Sequence, residues 1–264
     1  MPNDAPAELP EAFYVPAGEN RFEPTYATES PWESEAQHGG PPTALLGHLM
    51  RAVDPQPGFR LARMTVEFLG AVPRQPLETA ARVVRPGKRI RLLEAELTVA
   101  GRPVALARAW EITTNGNSAD PPGLPADIPP PQPQRFFSGW DRWGYGEAID
   151  WRWIHGSLDD LGPAAVWTRP RIPLVAGVPL QPLDRVLLTA DAANGISGVV
   201  PLDGWLFIPP AATVTVHRHP HDEWVCIDAA TVVSGDGIGS TTGTLGDRYG
   251  ELGSVTQPLL VAPR

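Results

Sequence analysis

The sequence has little of three features that define large classes of protein: cysteine, basic charge and long apolar runs. Its single cysteine, Cys226, excludes a disulfide framework and a cysteine-based zinc cluster. With 21 basic against 30 acidic residues, the net charge of -9 argues against binding to a nucleic-acid backbone or an anionic membrane surface. No apolar run approaches the ~18 residues of a membrane span. The N-terminus lacks the basic and apolar regions of a signal peptide, so we expect a cytoplasmic protein without a nucleic-acid or membrane partner.

Proline is abundant instead, and it divides the chain. The sequence has 32 prolines, and seven of them fall between Asn117 and Arg135. A segment this rich in proline continues neither a helix nor an inner strand, so it is typical of a semi-extended linker. We expect a unit over residues 1–114, a proline-rich linker over residues 115–150 and a second unit over residues 151–264.

The two units resemble each other in sequence, which indicates an internal duplication. Three features recur at offsets of 150, 149 and 149 residues: Met64–Val66 and Val214–Val216, Ala80–Val84 and Ala229–Val233, and Gly101 and Gly250. A constant offset across three features is hard to obtain by chance in unrelated segments. We therefore expect the same fold twice.

Each unit also shows the same order of predicted elements. In the first unit a helix begins at Pro41, because proline suits a first helical turn, and ends before Asp54. Alternating apolar residues then predict strands over residues 62–68, 77–84, 93–99 and 104–112. The second unit repeats this order, with a helix over residues 184–196 and strands over residues 212–216, 223–233, 238–245 and 252–261. The prediction is an α+β fold in which two antiparallel sheets, each wrapped around its helix, join side by side.

Several motifs resemble those of the acyl-CoA thioesterase-like family, whose members have a double hotdog fold and are related to acyl-CoA thioesterase II. The motifs span residues 37–46, 167–171, 191–196, 223–225 and 250–257. The resemblance implies two tandem hotdog units joined into one pseudo-dimeric sheet, and hydrolysis of an acyl-CoA thioester to free acid and CoA, within lipid metabolism. It implies no metal and no redox cofactor. A homodimer of double hotdogs is an expectation of the family.

One motif is divided between the two units. In homodimeric hotdog thioesterases of the phenylacetyl-CoA type, a His-Gly-Gly turn begins the helix and an aspartate follows nine residues after the histidine. Here the first unit has His38 but Gly47 nine residues later, whereas the second has Asp191 but Pro182 nine residues earlier. A single pocket between the units would need only one copy of each part, so we expect these two parts to meet.

Thioester hydrolysis needs donors for the carbonyl oxygen, and the turn before the first helix can supply them. Glycine lets a substrate carbonyl approach the backbone, and a helix N-terminus favours developing negative charge. We expect His38, Gly39 and Gly40 to bind the substrate, with the two glycine amides as oxyanion donors. A tight turn with a structural histidine is the alternative.

Hydrolysis also needs a base for water, and Asp191 is the candidate. Its neighbours one helical turn earlier are Leu187 and Leu188, so the carboxylate shares an apolar stripe. A carboxylate in such surroundings has a raised pKa unless it is paired, and that makes it a candidate general base. A carboxylate that bonds to a neighbouring strand or faces water is the alternative.

The resemblance implies further site residues and one departure. In type II enzymes a glutamine near the position of Gln257 acts with an aspartate and a hydroxyl, for which Thr231 is the candidate, with Ser234 as a second choice. The aspartate is expected within residues 207–213, where the sequence has Ala211. This departure favours the alternative of a non-catalytic protein that binds acyl-CoA. A hydratase is a third possibility, for which no clear Asp/His pair is visible.

Basic residues in the first unit are candidates for the CoA phosphates. Lys88 and Arg89 lie between two predicted strands, where such charges can meet phosphate groups. A solvated turn is the alternative for them.

Overall fold

The computed structural model describes residues 8–114, 127–130, 132 and 142–264. Most of the predicted linker, residues 115–126, 131 and 133–141, lies outside this part of the chain, as does Trp140. The described strands of the first half are β1 (Tyr14–Pro16), β2 (Arg21–Pro24), β3 (Phe59–Phe68), β4 (Leu77–Arg85), β5 (Ile90–Val99) and β6 (Arg102–Thr113). Those of the second half are β7 (Ile149–His155), β8 (Ala164–Pro170), β9 (Trp205–Ile208), β10 (Ala211–Val216), β11 (Val225–Val233), β12 (Ile238–Asp247) and β13 (Gly250–Pro263).

The described part of the chain has four α-helices, and two of them are long enough to cover the face of the sheet. They are α1 (Gly40–Ala52), α2 (Gly144–Ala148), α3 (Pro182–Ala190) and α4 (Ala193–Ile196), besides a 3-10 turn at Tyr26–Thr28. None of the helices in the described ranges is long and apolar enough to cross a membrane.

All described strands belong to one sheet, and the two halves join at its centre. The order is β1-β2-β4-β5-β6-β3-β10-β13-β12-β11-β8-β7, with β9 paired to β13. Across the antiparallel β3–β10 seam Met64 pairs with Val214, its counterpart in the duplication, and the hydroxyls of Thr65 and Thr213 lie 3.0 Å apart. Pairing between equivalent residues places a pseudo-twofold axis at this point. The structure confirms the double hotdog fold.

Helix α1 forms where the sequence predicts it. Pro41 and Pro42 occupy its first turn, and its apolar residues face the core. The helix ends at Ala52, because the backbone of Val53 is extended, with ψ of 119°, and that of Asp54 is left-handed, with φ of 48°.

The second long helix differs from its prediction, because it does not run unbroken over residues 184–196. It ends at Ala190 and a short helix resumes at Ala193. Between them the N–H of Ala192 donates to the Thr189 carbonyl at 3.0 Å, a tighter turn than that of an α-helix. This turn places Asp191 at the end of α3 rather than in the middle of a helix.

Helices α1 and α3 pack side by side in opposite directions. Gly47 lies against Leu187, so close that a Cβ atom at Gly47 would fall 2.4 Å from the Leu187 side chain. At one end of the pair Arg51 forms an ion pair with the buried carboxylate of Asp184. At the other end Gly39 meets Asp191. The two ends are related by the pseudo-symmetry, but their chemistry differs.

Replacing Arg51 by methionine is expected to destabilise the fold. Burial already raises the pKa of Asp184, and Arg51 opposes that rise. Removing the cation leaves a buried carboxylate without its partner, which typically costs about 3 kcal/mol. Urea unfolding at neutral pH measures the loss, which should shrink in acid as Asp184 takes up a proton. A second variant that adds Asp184→Asn should recover most of the stability; an Arg51→Met protein as stable as the wild type would contradict this account.

Candidate active site

Two chain segments from opposite halves meet at one end of the α1–α3 pair. The His38–Gly39 turn precedes α1, and Asp191 follows α3. The Nδ1 atom of His38 lies 3.4 Å from Oδ2 of Asp191. The carboxylate is packed directly over Gly39, where a Cβ atom would fall 2.6 Å from Oδ2. The structure thus brings together the two parts of the divided motif.

The next residue in the turn, Gly40, lies equally close to α3. A Cβ atom at Gly40 would fall 2.6 Å from the carbonyl oxygen of Leu188. Neither glycine has a positive φ in the left-handed region, so the reason for glycine is the close approach of the two helices and not the backbone conformation. The Gly-Gly pair therefore lets the end of α3 reach the start of α1.

A cavity of about 690 Å³ opens beside this meeting point, and His38, Gly39 and Asp191 all line it. Its volume is typical of a pocket for a small organic ligand. The apolar walls come from both halves and include Trp32, Phe68, Val72, Trp143, Trp151, Leu158, Leu206 and Phe207. The cavity is therefore an apolar slot with a carboxylate and a helix N-terminus at one side.

Asp191 is buried, and the one described basic side chain within ion-pair distance of its carboxylate is that of His38. Asp191 is 5% exposed. Burial raises the pKa of its carboxyl to about 7, because water no longer solvates the charged form. At neutral pH the group is thus poised between accepting and releasing a proton, as a general base requires.

His38 is held in one orientation by two neighbours. Gly40 donates its N–H to Nδ1 at 3.0 Å, and the Tyr145 ring stacks on the imidazole with centroids 3.8 Å apart. Burial lowers the pKa of His38 to about 3. Because the Gly40 N–H already has an acceptor, the structure differs from the expectation that both glycine amides are free for a substrate. The Gly39 N–H has no hydrogen-bond partner among the described residues.

Gln257 lies beneath Asp191 and does not line the cavity. Its Oε1 accepts the N–H of Asn194 at 3.1 Å, and its Nε2 donates to the Asp191 carbonyl at 3.3 Å and approaches Oδ1 at 3.4 Å. The side chain therefore holds the turn between α3 and α4, and with it the carboxylate. Gln257 therefore contacts Asp191 from the side away from the cavity lining.

Thr231 is also buried, in the same half as Gln257. Its hydroxyl lies 2.8 Å from that of Ser197 and 2.6 Å from that of Thr241. Thr241 pairs with Gln257 across β12 and β13. The linked hydroxyls of Ser197, Thr231 and Thr241 therefore lie beside Gln257, and none of them lines the cavity. Thr231 does not line the cavity, and its hydroxyl is engaged with two protein partners.

The basic residues predicted for CoA are found on a turn. Lys88 and Arg89 are exposed between β4 and β5, and neither lines the cavity. Among the described lining residues, the one arginine is Arg264, whose guanidinium lies 5.4 Å from the centre of the Trp32 ring. Ala211, at the position where the resemblance implies an aspartate, begins β10 and pairs with Glu67.

Tyr145, Asn194 and Arg264 line the cavity without having been predicted. Tyr145 lies in α2, in a segment that the sequence assigns to the linker. The signal that could have identified it is the aromatic cluster around it, which includes Trp143 and Trp151. Both of these tryptophans also line the slot.

Comparison with known proteins gives two family matches. The model of the acyl-CoA thioesterase N-terminal domain matches residues 28–112, and that of the C-terminal domain matches residues 122–261. A hot dog fold protein from Alicyclobacillus acidocaldarius has a TM-score of 0.74 and 17% identity, over 96% of this chain and 97% of that chain. An acyl-CoA thioesterase II from Mycobacterium marinum has a TM-score of 0.68 and 18% identity, over 95% of each chain. No curated protein sequence matches significantly.

Proposed function

Because the chain belongs to the acyl-CoA thioesterase family with a double hotdog fold, we propose that it hydrolyses an acyl-CoA thioester to the free acid and CoA. The observation that carries this proposal is the buried Asp191, whose pKa is raised to about 7, packed against Gly39 at the edge of an apolar cavity. A base, a free backbone N–H and an apolar slot are what the reaction needs in one place.

The proposed chemistry is attack of water on the thioester carbonyl. Asp191 takes a proton from water as the water oxygen bonds to the carbonyl carbon, and the carbonyl electrons move onto oxygen. The Gly39 N–H, at the positive end of α1, stabilises that oxygen. When the carbon–sulfur bond breaks, the thiolate leaves and Asp191 returns its proton to sulfur. The products are the acid and the CoA thiol.

The lining of the slot favours apolar acyl groups. Trp32, Trp143 and Trp151 supply aromatic walls, and the cavity volume of about 690 Å³ suits an acyl chain of moderate size or an aryl group. Four expectations from the sequence stay predictions. Lys88 and Arg89 are predicted to contact the CoA phosphates, and the two units are predicted to end and begin at the linker of residues 115–150. The protein is also predicted to be cytoplasmic and to form a dimer of two chains.

Free-thiol release from a panel of acyl-CoAs tests the function. Short, medium, long and aryl acyl groups should be compared at equal concentration, alongside equilibrium binding of each. We expect turnover with at least one apolar acyl group. Tight binding with no thiol release across the panel would contradict hydrolysis, and would instead support the acyl-CoA binding protein that the alanine at position 211 favours.

The rate is expected to rise with pH through neutrality. Only the ionised form of Asp191 can take a proton from water, and its pKa is about 7 because of burial. Below that value kcat/KM should fall about tenfold per pH unit, and above about pH 8 it should be constant. A pH–rate profile from about pH 5 to about pH 9 measures this. A profile that stays flat down to about pH 5 would mean that Asp191 is not the base.

A further inference from the structure

The contacts of His38 determine which of its ring nitrogens carries a proton. Nδ1 accepts the Gly40 N–H at 3.0 Å, so its lone pair is used and it bears no hydrogen. The proton of the neutral ring must therefore be on Nε2. Nε2 forms no hydrogen bond with any described residue, and His38 lines the cavity. A single N–H donor without a protein partner is thus available at the slot.

The ring that carries this donor is fixed in place. Tyr145 stacks on it at an interplanar angle of 6°, and the Tyr145 hydroxyl donates to the carbonyl of Leu188 at 2.7 Å. The stack is completely buried on the tyrosine side. A donor whose direction is set before substrate binds needs no reorganisation during the reaction.

The short distance between His38 and Asp191 does not make them an ion pair. Nδ1 lies 3.4 Å from Oδ2 of Asp191, but a nitrogen that accepts the Gly40 N–H cannot also donate to the carboxylate. The hydrogen bond from Gly40, at 3.0 Å, is the shorter of the two contacts, and it uses the lone pair of Nδ1. His38 is neutral and Asp191 keeps its freedom to accept a proton from water.

We propose that the Nε2–H of a neutral His38 is a second oxyanion donor, which binds the thioester carbonyl oxygen together with the Gly39 N–H. This role rests on the proposed hydrolysis. The Nε2–H takes the place of the Gly40 N–H as the second donor, because the Gly40 N–H is already bonded to Nδ1 of His38. The proton transfers take place between water, Asp191 and sulfur as described above, and His38 neither gains nor loses a proton. His38 is in this sense a catalytic residue, since it touches the reacting carbonyl.

Substitution of His38 separates the donor role from a structural role. His38→Gln places an amide N–H close to the position of Nε2, whereas the shorter side chain of His38→Asn does not reach it. Removing an oxyanion donor typically lowers kcat by about 10²–10³-fold. We therefore expect His38→Asn and His38→Ala to lose about that much in kcat with little change in KM, and His38→Gln to retain most of the wild-type kcat. Equal kcat in the glutamine and alanine variants would overturn the proposal.

If these variants fold poorly, the ring nitrogen that carries the proton can be identified directly in the wild-type protein. Nitrogen-15 NMR of the wild-type protein labelled at histidine should show His38 as the neutral Nε2–H form from about pH 5 upward. A proton on Nδ1, or a titration of His38 near neutral pH, would overturn the proposal. Failure of the proposed function looks different, because then the wild-type protein itself releases no thiol from any acyl-CoA. If the wild type hydrolyses acyl-CoA and His38→Ala does so at the same rate, the donor role alone is refuted.

Discussion

An Asp191→Asn variant is expected to lose about 10³-fold in kcat while still binding acyl-CoA. Asparagine has nearly the shape of aspartate but cannot take a proton from water, so the attack on the thioester loses its base. Positioned general bases contribute about 10²–10⁴-fold. Glu33 is the other side-chain carboxylate among the described lining residues, and it forms no hydrogen bond or ion pair with His38 or Gly39, so it does not replace Asp191 at this position. Thiol release measures kcat, and equilibrium titration with an acyl-CoA measures binding. The matched control is Asp203→Asn, since Asp203 is exposed and outside the cavity.

The stability of this variant provides an independent check on the same carboxyl. A folded-state pKa raised from 3.8 to about 7 means that ionising Asp191 destabilises the folded protein. The wild type therefore loses stability as the pH rises through this range, whereas the asparagine variant does not. At about pH 8 we expect Asp191→Asn to be more stable than the wild type by a few kcal/mol. An inactive variant that is also destabilised at this pH would point to a structural role, and retained activity would contradict the assignment of the base.

A Gly39→Ala variant is expected to lose about 10²-fold in kcat through a steric effect on the same carboxylate. The new Cβ atom would lie 2.6 Å from Oδ2 and 2.8 Å from Cγ of Asp191, so the carboxylate must move. A displacement of about 1 Å at the reacting group commonly costs this much in rate. Steady-state kinetics with the preferred acyl-CoA measures the loss.

The backbone of Gly39 permits alanine, which makes this test specific. Its φ of -67° and ψ of -18° are helical, so alanine causes no backbone strain there. Gly235→Ala is the control, because Gly235 lies in an exposed turn and a Cβ atom there meets nothing within 4 Å. Full activity of Gly39→Ala would mean that Asp191 does not act from the position seen in the structure.

The fold could be predicted from the sequence because its signals are periodic and repeated. The alternation around Met64 and its repeat around Val214 identified two equivalent strands, which the structure pairs at the pseudo-twofold axis. The break in the second long helix could not be predicted, because residues 190–193 contain no glycine or proline. It depends on tertiary contacts, among them the hydrogen bond from Gln257 to the Asp191 carbonyl.

The sequence could predict only those parts of the candidate site in which a residue's place in a motif or on a helix determines what surrounds it. The divided motif predicted that His38 and Asp191 would meet, and the leucine stripe predicted the burial of the carboxylate. The occupation of the Gly40 N–H by the His38 ring depends on a side-chain torsion, which the sequence does not encode locally. Tyr145 was missed for another reason: it reaches the cavity from a proline-rich region, and the stacking contact is visible only in three dimensions.

The most direct test of the account is the structure of the Asp191→Asn protein bound to its preferred acyl-CoA. The central claim is that the two halves meet around a single thioester. We predict the acyl group in the cavity beside Trp143, and the carbonyl oxygen within hydrogen-bond distance of the Gly39 N–H and of Nε2 of His38. A thioester bound outside this cavity, or a carbonyl oxygen that points away from Gly39, would contradict the account.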